Sequence, residues 1–162
     1  SAQEDSRLFS FSGDGVIAIE GESVDISRES NADMAIELQY QVIGDVKANA
    51  LLSMGCGENC QGELDISKDF SQKANLGWQT SRIKLSCFAD NGTKMTAVNS
   101  PFVLSVSGEL QLQLHSLKIV SNQGIFIGIK KVEDGLRHDN TCCFVVGTLL
   151  VQFFNLHPNA IF

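Results

Sequence analysis

The residues best suited to binding chemistry lie on predicted strands in which polar residues alternate with apolar ones. If those strands share one sheet, their polar side chains form a single surface of amides and charges. Amides donate and accept hydrogen bonds, so such a surface matches the hydroxyl groups of sugars. A solvated sheet face has the same composition, and the pattern alone fits both interpretations. The residues concerned are Glu37, Gln39 and Gln41, Arg82 and Lys84, and Gln111 and Gln113.

Trp78 is the single tryptophan of the chain, and it is the natural candidate for a platform on which a sugar ring stacks. Its position along the strand is opposite in phase to Ile83 and Leu85, which predicts an outward side chain. It also follows Gly77 at the start of a strand, so packing at the rim of the core is the alternative. One stacking contact contributes about 1 kcal/mol beyond area burial, and with a few hydrogen bonds it supports about millimolar affinity.

Cys56 and Cys60 are separated by three residues. In an exported protein this spacing predicts a disulfide, with free thiols and a metal site as the alternatives. A zinc site would need two further ligands, and the candidates lack the spacing of a zinc finger: His138, Cys142, Cys143 and His157.

Six carboxylates suggest either a calcium ion or a pair of glycosidase acids. Calcium needs six to eight oxygen ligands, and no EF-hand spacing is present here. A structural calcium ion held by other loop carboxylates stays open, and it is the only cofactor that the sequence suggests. A catalytic pair would have to face across a cleft, and nothing in the spacing requires this. No nucleophile motif accompanies the histidines. The carboxylates are Asp14, Glu20, Asp25, Glu63, Asp65 and Asp69.

The elements that must position these residues are predicted to be mainly strands. Alternation with period two, interrupted by turn residues, is typical of an antiparallel β-sandwich and makes the chain all-β. The phase slips near His115 and Ser116, which predicts a β-bulge. A single short helix is predicted over 66–72, with Asp65 as its N-cap. The predicted strands cover 34–42, 46–56, 82–87, 102–106 and 110–119.

Length and charge restrict the partners. The 162 residues carry a net charge of −7, all of it within 1–120, and an acidic surface repels nucleic acids. The apolar run 142–154 is too short to span a bilayer comfortably, so no membrane partner is predicted. We divide the chain into a sandwich domain, 1–120, and a divergent or foreign C-terminal tail, 121–162. The polar start of the chain is typical of a trimmed fragment and says nothing about export.

Several ordered motifs resemble the C-terminal domain of bacterial exo-β-glucanases of glycoside hydrolase family 3. The resemblance covers about 14–120, and the residues after it depart from the family pattern. The matching segments are 24–35 (VDISRESNADMA), 52–57 (LSMGCG), 64–67 (LDIS), 78–88 (WQTSRIKLSCF), 101–104 (PFVL) and 108–112 (GELQL).

This resemblance implies a galactose-binding-like jelly roll attached to a glucan-cleaving enzyme. In that family the catalytic residues lie in other domains, so no catalytic residue is carried over to this chain. The implied role is a non-catalytic accessory domain that binds β-glucan or an oligosaccharide weakly, or supports the catalytic domains of the parent hydrolase. An independent carbohydrate-binding module is the alternative. The implied location is periplasmic or extracellular.

Overall fold

A computed structural model describes residues 5–121 of the chain. Within them, the strands are β1 (Arg7–Ile19), β2 (Met34–Gly55), β3 (Gln61–Asp65), β4 (Gln79–Lys84) and β5 (Ser100–Ser121). They are antiparallel and pair in the order β1-β5-β2-β3, and β4 also pairs with β2. Three short helices join them: α1 (Ser27–Asn31), α2 (Ser67–Lys73) and α3 (Leu85–Asp90). No helix in this part of the chain is long and apolar enough to cross a membrane.

The two longest strands, β2 and β5, pair along most of their length and bend together. Their register shifts between Ile43 and Lys47, where β2 carries extra residues relative to β5. Beyond the bend, the second half of each strand packs back over the first half. Leu38 and Leu52, from the two halves of β2, therefore line one internal cavity with Leu104 and Leu112 of β5. The folded sheet is the antiparallel β-sandwich that the sequence predicts.

Each layer of the sandwich contains half of every long strand. β4 belongs to the first layer and pairs with the first half of β2, whereas β3 belongs to the second layer and pairs with the second half. β1 follows β5 through both layers and forms the outer edge. The first layer contains β4 and 34–43, 111–121 and 7–12; the second contains β3 and 47–55, 100–107 and 14–19.

Gly108 makes the bend of β5 possible. Its φ is +122°, a backbone conformation that residues with a side chain rarely adopt. A Cβ atom there would also collide with the carbonyl oxygen of Lys47 and with Ala48. The close approach of β5 to β2 at this point requires a residue without a side chain.

Helix α2 packs against the core between the layers, with Phe70 3% exposed. Its polar side chains form a buried chain of hydrogen bonds with the sheet. Lys73 Nζ donates to Ser81 Oγ (2.7 Å), which lies 3.1 Å from the Tyr40 hydroxyl, and Tyr40 in turn donates to Asp69 Oδ2 (2.7 Å). Lys73 Nζ also lies 2.8 Å from Asp69 Oδ1. Because every polar group has a partner, this network fixes α2 onto β2 and β4 at acceptable cost.

Three expectations about the strands were wrong. The segments 34–42 and 46–56 belong to one strand, as do 102–106 and 110–119, because β2 and β5 bend together and keep their pairing. The strand predicted over 82–87 ends at Lys84, and helix α3 follows. Leu85 and Phe88, three residues apart, are both fully buried, which is the spacing of one helical face. The alternation of residues did not reveal β1.

The predicted helix and the predicted bulge are present in modified form. Helix α2 begins at Ser67, with Ile66 at its N-cap and no side-chain cap. The Asp65 carboxylate still accepts a hydrogen bond from the backbone N–H of Ser67 at 2.9 Å. The predicted bulge is confirmed: Gln39 pairs with Ser116 and the next residue of β2 with Leu114, so that His115 is the extra residue.

Candidate functional site

The first layer brings the predicted polar residues of three strands onto one outward face. Gln39 of β2 lies between Thr80 of β4 and Ser116 of β5, and Gln41 lies beside Gln113. The side chains of Leu38 and Tyr40, which alternate with these residues along β2, point inward into the core. We call this surface the amide face, and it comprises Gln39, Gln41, Gln111 and Gln113 together with Trp78, Thr80, His115 and Ser116.

Hydrogen bonds order three of the four amides of this face, those of Gln39, Gln41 and Gln113. Gln41 Nε2 donates to Gln113 Oε1 at 2.7 Å, and Gln113 Nε2 donates to Ser6 Oγ at 2.6 Å. Ser116 Oγ donates to Gln39 Oε1 at 3.1 Å. The remaining groups, Gln41 Oε1 and Gln39 Nε2, have no partner within the described part of the chain. An acceptor and a donor are thus held ready without further loss of side-chain freedom.

Trp78 lies at the edge of the amide face, where its phase predicts it. It precedes Gln79, which pairs with Tyr40, so its backbone lies opposite Gln41. Its ring meets the ring of His115 edge-on, with centroids 6.1 Å apart. Because β2 lies between β4 and β5, the two rings approach each other across β2. Trp78 is half-buried, which leaves part of its ring exposed.

The sequence did not single out three residues of this face as binding residues, Thr80, Ser116 and His115, and the aromatic one among them is His115. Its Nδ1 atom is buried without a hydrogen-bond partner. Position 115 has the outward phase of Gln113 but the inward phase of Leu117, because the bulge lies between them, and its ring lies beside that of Trp78. The phase slip was visible in the sequence, but its consequence for this side chain depends on the pairing of β5 with β2.

The charged residues of the predicted site form ion pairs at one end of the face. Glu37 is only 4% exposed and lies 2.7 Å from Arg82 and 3.4 Å from Lys118. Lys84 lies 3.4 Å from Asp33. A surface ligand could reach Glu37 only after this carboxylate is uncovered, so its evident task is to hold the two cations. The centre of the face carries no charge.

The other groups with potential chemistry lie elsewhere. Cys56 and Cys60 form a disulfide in the loop between β2 and β3, in the second layer. Ser81 and Lys73 resemble a nucleophile and its base, but they are 2% and 5% exposed, so a substrate does not reach them. Their network with Tyr40 anchors α2 instead.

The six carboxylates considered for calcium are spread over several elements and do not converge. Asp14 accepts from Ser107 Oγ at 2.6 Å in one place, and Asp25 accepts from Ser27 in another. Among residues 5–121, no group of three or more His, Cys, Asp or Glu side chains could hold a metal ion. A structural calcium ion therefore stays a prediction without a site in this part of the chain.

Comparison with known families identifies the domain. Residues 1–119 match the model of the ExoP C-terminal family, described as galactose-binding domain-like. The chain belongs to this family. The description names a binding domain, not a catalytic one, which agrees with the absence of a catalytic role predicted for this chain. No curated protein sequence matches the chain.

Two solved structures share the galactose-binding-like fold of this chain. One is the extra C-terminal domain (X) of the exo-1,3/1,4-β-glucanase ExoP from a Pseudoalteromonas species, with a TM-score of 0.56 and 18% identity. That match covers 74% of this chain, and the chain spans less than two thirds (64%) of the ExoP domain. The other is a family 30 carbohydrate-binding module, with a TM-score of 0.51, 13% identity, and coverage of 74% and 70%. At these identities the similarity establishes the fold.

Proposed function

We propose that this chain is a non-catalytic accessory domain of a β-glucan-degrading glycoside hydrolase and binds the glucan weakly through its amide face. The observation that carries the proposal is the gathering of one tryptophan and ordered glutamines on one face of the first layer. These residues are distant in sequence, and the pairing of β4, β2 and β5 brings them together.

The chemistry of the face suits a neutral sugar. Its central amides offer a donor, Gln39 Nε2, and an acceptor, Gln41 Oε1. A sugar hydroxyl can both donate and accept a hydrogen bond, so it can bind to either group. Trp78 adds an apolar surface for the C–H side of a ring. The cations at the end of the face are paired with Glu37 or Asp33, so little net charge favours an anionic ligand. A single aromatic platform supports about millimolar affinity.

The parent enzyme and the location form part of the same proposal. Family membership and the resemblance of the sequence motifs support attachment to catalytic domains of an exo-β-glucanase or β-glucosidase. The Cys56–Cys60 disulfide suits an oxidising compartment, which supports a periplasmic or extracellular location. Weak binding has value in such an assembly because attachment raises the local concentration of substrate around the catalytic domains.

Affinity electrophoresis of the full chain in gels containing laminarin or a soluble cellulose derivative tests the proposal. We expect weak retardation that corresponds to a Kd of about 1 mM. Retardation that indicates micromolar affinity would favour the alternative, an independent carbohydrate-binding module. No retardation by either polymer would contradict glucan binding and leave only structural support of the catalytic domains.

A further inference from the structure

The amide face contains an apolar residue at each end of one row that crosses the first layer. The row follows the register of the sheet over Gln41 on β2, Gln113 on β5 and Leu8 on β1, and Trp78, immediately before β4, lies at its other end. Leu8 pairs with Gln113, so both side chains point outward, and Leu8 is 57% exposed. An aromatic side chain and an aliphatic side chain thus flank two hydrogen-bonding amides.

We propose that a neutral β-linked oligosaccharide crosses the strands along this row and that Leu8 is its second apolar contact. The proposal rests on the proposed function, since it assigns the path of the glycan on the same face. Neighbouring strands are about 4.8 Å apart, so the row extends over about 14 Å from β4 to β1. One pyranose unit of an extended glycan is about as long as one strand spacing. The row therefore accommodates about four sugar units.

The middle and the ends of the row make different kinds of contact with the sugar: hydrogen bonds in the middle and apolar contacts at the ends. Gln41 and Gln113 bond to each other, and Gln113 continues the chain to Ser6 beside Leu8. These hydrogen bonds order the two amides, and Gln41 Oε1 accepts from a hydroxyl of a central sugar. The terminal sugars meet Trp78 and Leu8 with their apolar C–H surfaces, which buries apolar area at both ends.

The path gives Leu8 a role that depends on ligand length. A disaccharide on Trp78 ends over the amides and does not reach β1, whereas a tetrasaccharide reaches Leu8. The same strand offers a matched control, because Val16 is 62% exposed and points outward from the other layer. Both residues are exposed and apolar on β1, and only Leu8 belongs to the row.

Titration of the full chain with laminari- and cello-oligosaccharides of two to six units tests the path. Fluorescence reports on Trp78 alone, because the chain has one tryptophan. We expect affinity to rise up to about the tetrasaccharide and then to level off. Leu8→Ser should weaken tetrasaccharide binding about fivefold, the effect of losing one partly buried apolar contact. It should leave disaccharide binding unchanged, and Val16→Ser should change neither.

The outcomes separate this inference from the proposed function. Binding that Leu8→Ser leaves unchanged at every length, or weakens equally for the disaccharide, would overturn the path and preserve glucan binding. Affinity that continues to rise from four to six units would also overturn it. No fluorescence or mobility change with any oligosaccharide or glucan would contradict the proposed function itself.

Discussion

The two layers of the sandwich are made from the same two long strands, yet their outward faces differ in chemistry. The amide face of the first layer has ordered glutamines, paired cations and an aromatic platform. The outward face of the second layer, which we call the acidic face, has small polar residues and carboxylates. Its members are Asp14, Asn49, Gln61, Glu63, Asp65 and Ser105, and the aliphatic residues Val16, Leu51 and Val103 share this face with them.

The difference shows that position in the strand, and not strand identity, determines the role of a residue. Gln41 and Asn49 lie on the same strand on opposite sides of the bend, and they face different surroundings. The bend at Gly108 therefore divides the layer with the amide face from the layer with the acidic face. Substitutions at the bend, in the network that anchors α2 to the first layer, and at Trp78 should therefore have separate effects on stability or on glucan affinity.

The largest effect is expected for Gly108→Ala. The new Cβ would collide with backbone atoms of Lys47 and Ala48 at a φ of +122°, which should lower the free energy of unfolding by about 3 kcal/mol. Gly44→Ala is the control, because Gly44 has a φ of +74° with open space around it and should cost only about 1 kcal/mol. Urea unfolding measures both. Equal losses would show that the close approach at Gly108 does not determine the bend.

The next effect concerns Tyr40, the only tyrosine of the chain, which anchors α2 to the first layer. Burial, followed by the negative charge of Asp69, raises its pKa well above the ordinary value. Above about pH 10 the unfolded chain loses this proton while the folded chain keeps it, so stability falls as pH rises. Tyr40→Phe should lower stability by about 1–2 kcal/mol at neutral pH and remove this alkaline dependence.

Two measurements check the prediction for Tyr40. Urea unfolding between about pH 9 and 11 gives the slope of stability with pH for wild type and Tyr40→Phe. Ultraviolet absorbance detects the phenolate of this single tyrosine directly. Phenolate that forms near pH 10 while the protein is still folded would show that Tyr40 is not held in the buried network.

Trp78→Ala should weaken glucan binding about tenfold, the effect of losing one stacking contact and its apolar area. Val16→Ala removes exposed apolar surface from the acidic face and serves as its control. Affinity electrophoresis on laminarin compares the two variants with the wild type. Equal retardation of all three proteins would remove the amide face as the binding surface.

The smallest effect is expected on the acidic face. Asp14→Asn combined with Glu63→Gln removes two exposed charges there and should change glucan affinity by less than about twofold, because neither residue contacts the amide face. The same gels measure this variant. A larger change would show that the acidic face takes part in binding.

The sequence predicted the sandwich and most of the amide face, because alternation specifies which side chains share a face of a strand. It could not predict which strands become neighbours. For that reason His115 and Leu8 were missed: His115 depends on the bulge opposite Gln39, and Leu8 lies on a strand whose alternation was not recognised. Leu85 was misassigned because an inward position of a strand and the buried face of a short helix look alike in sequence.

Nuclear magnetic resonance of side-chain amide groups tests most directly the claim that sugar binds to the amide face. The full chain, labelled with nitrogen-15, is titrated with laminaritetraose and cellotetraose. We expect shifts of the NH₂ signals of Gln39, Gln41 and Gln113 and of the Trp78 indole N–H, with Asn49 and Gln61 of the acidic face unchanged. Shifts of Asn49 and Gln61 with the amide-face signals unchanged would contradict the account.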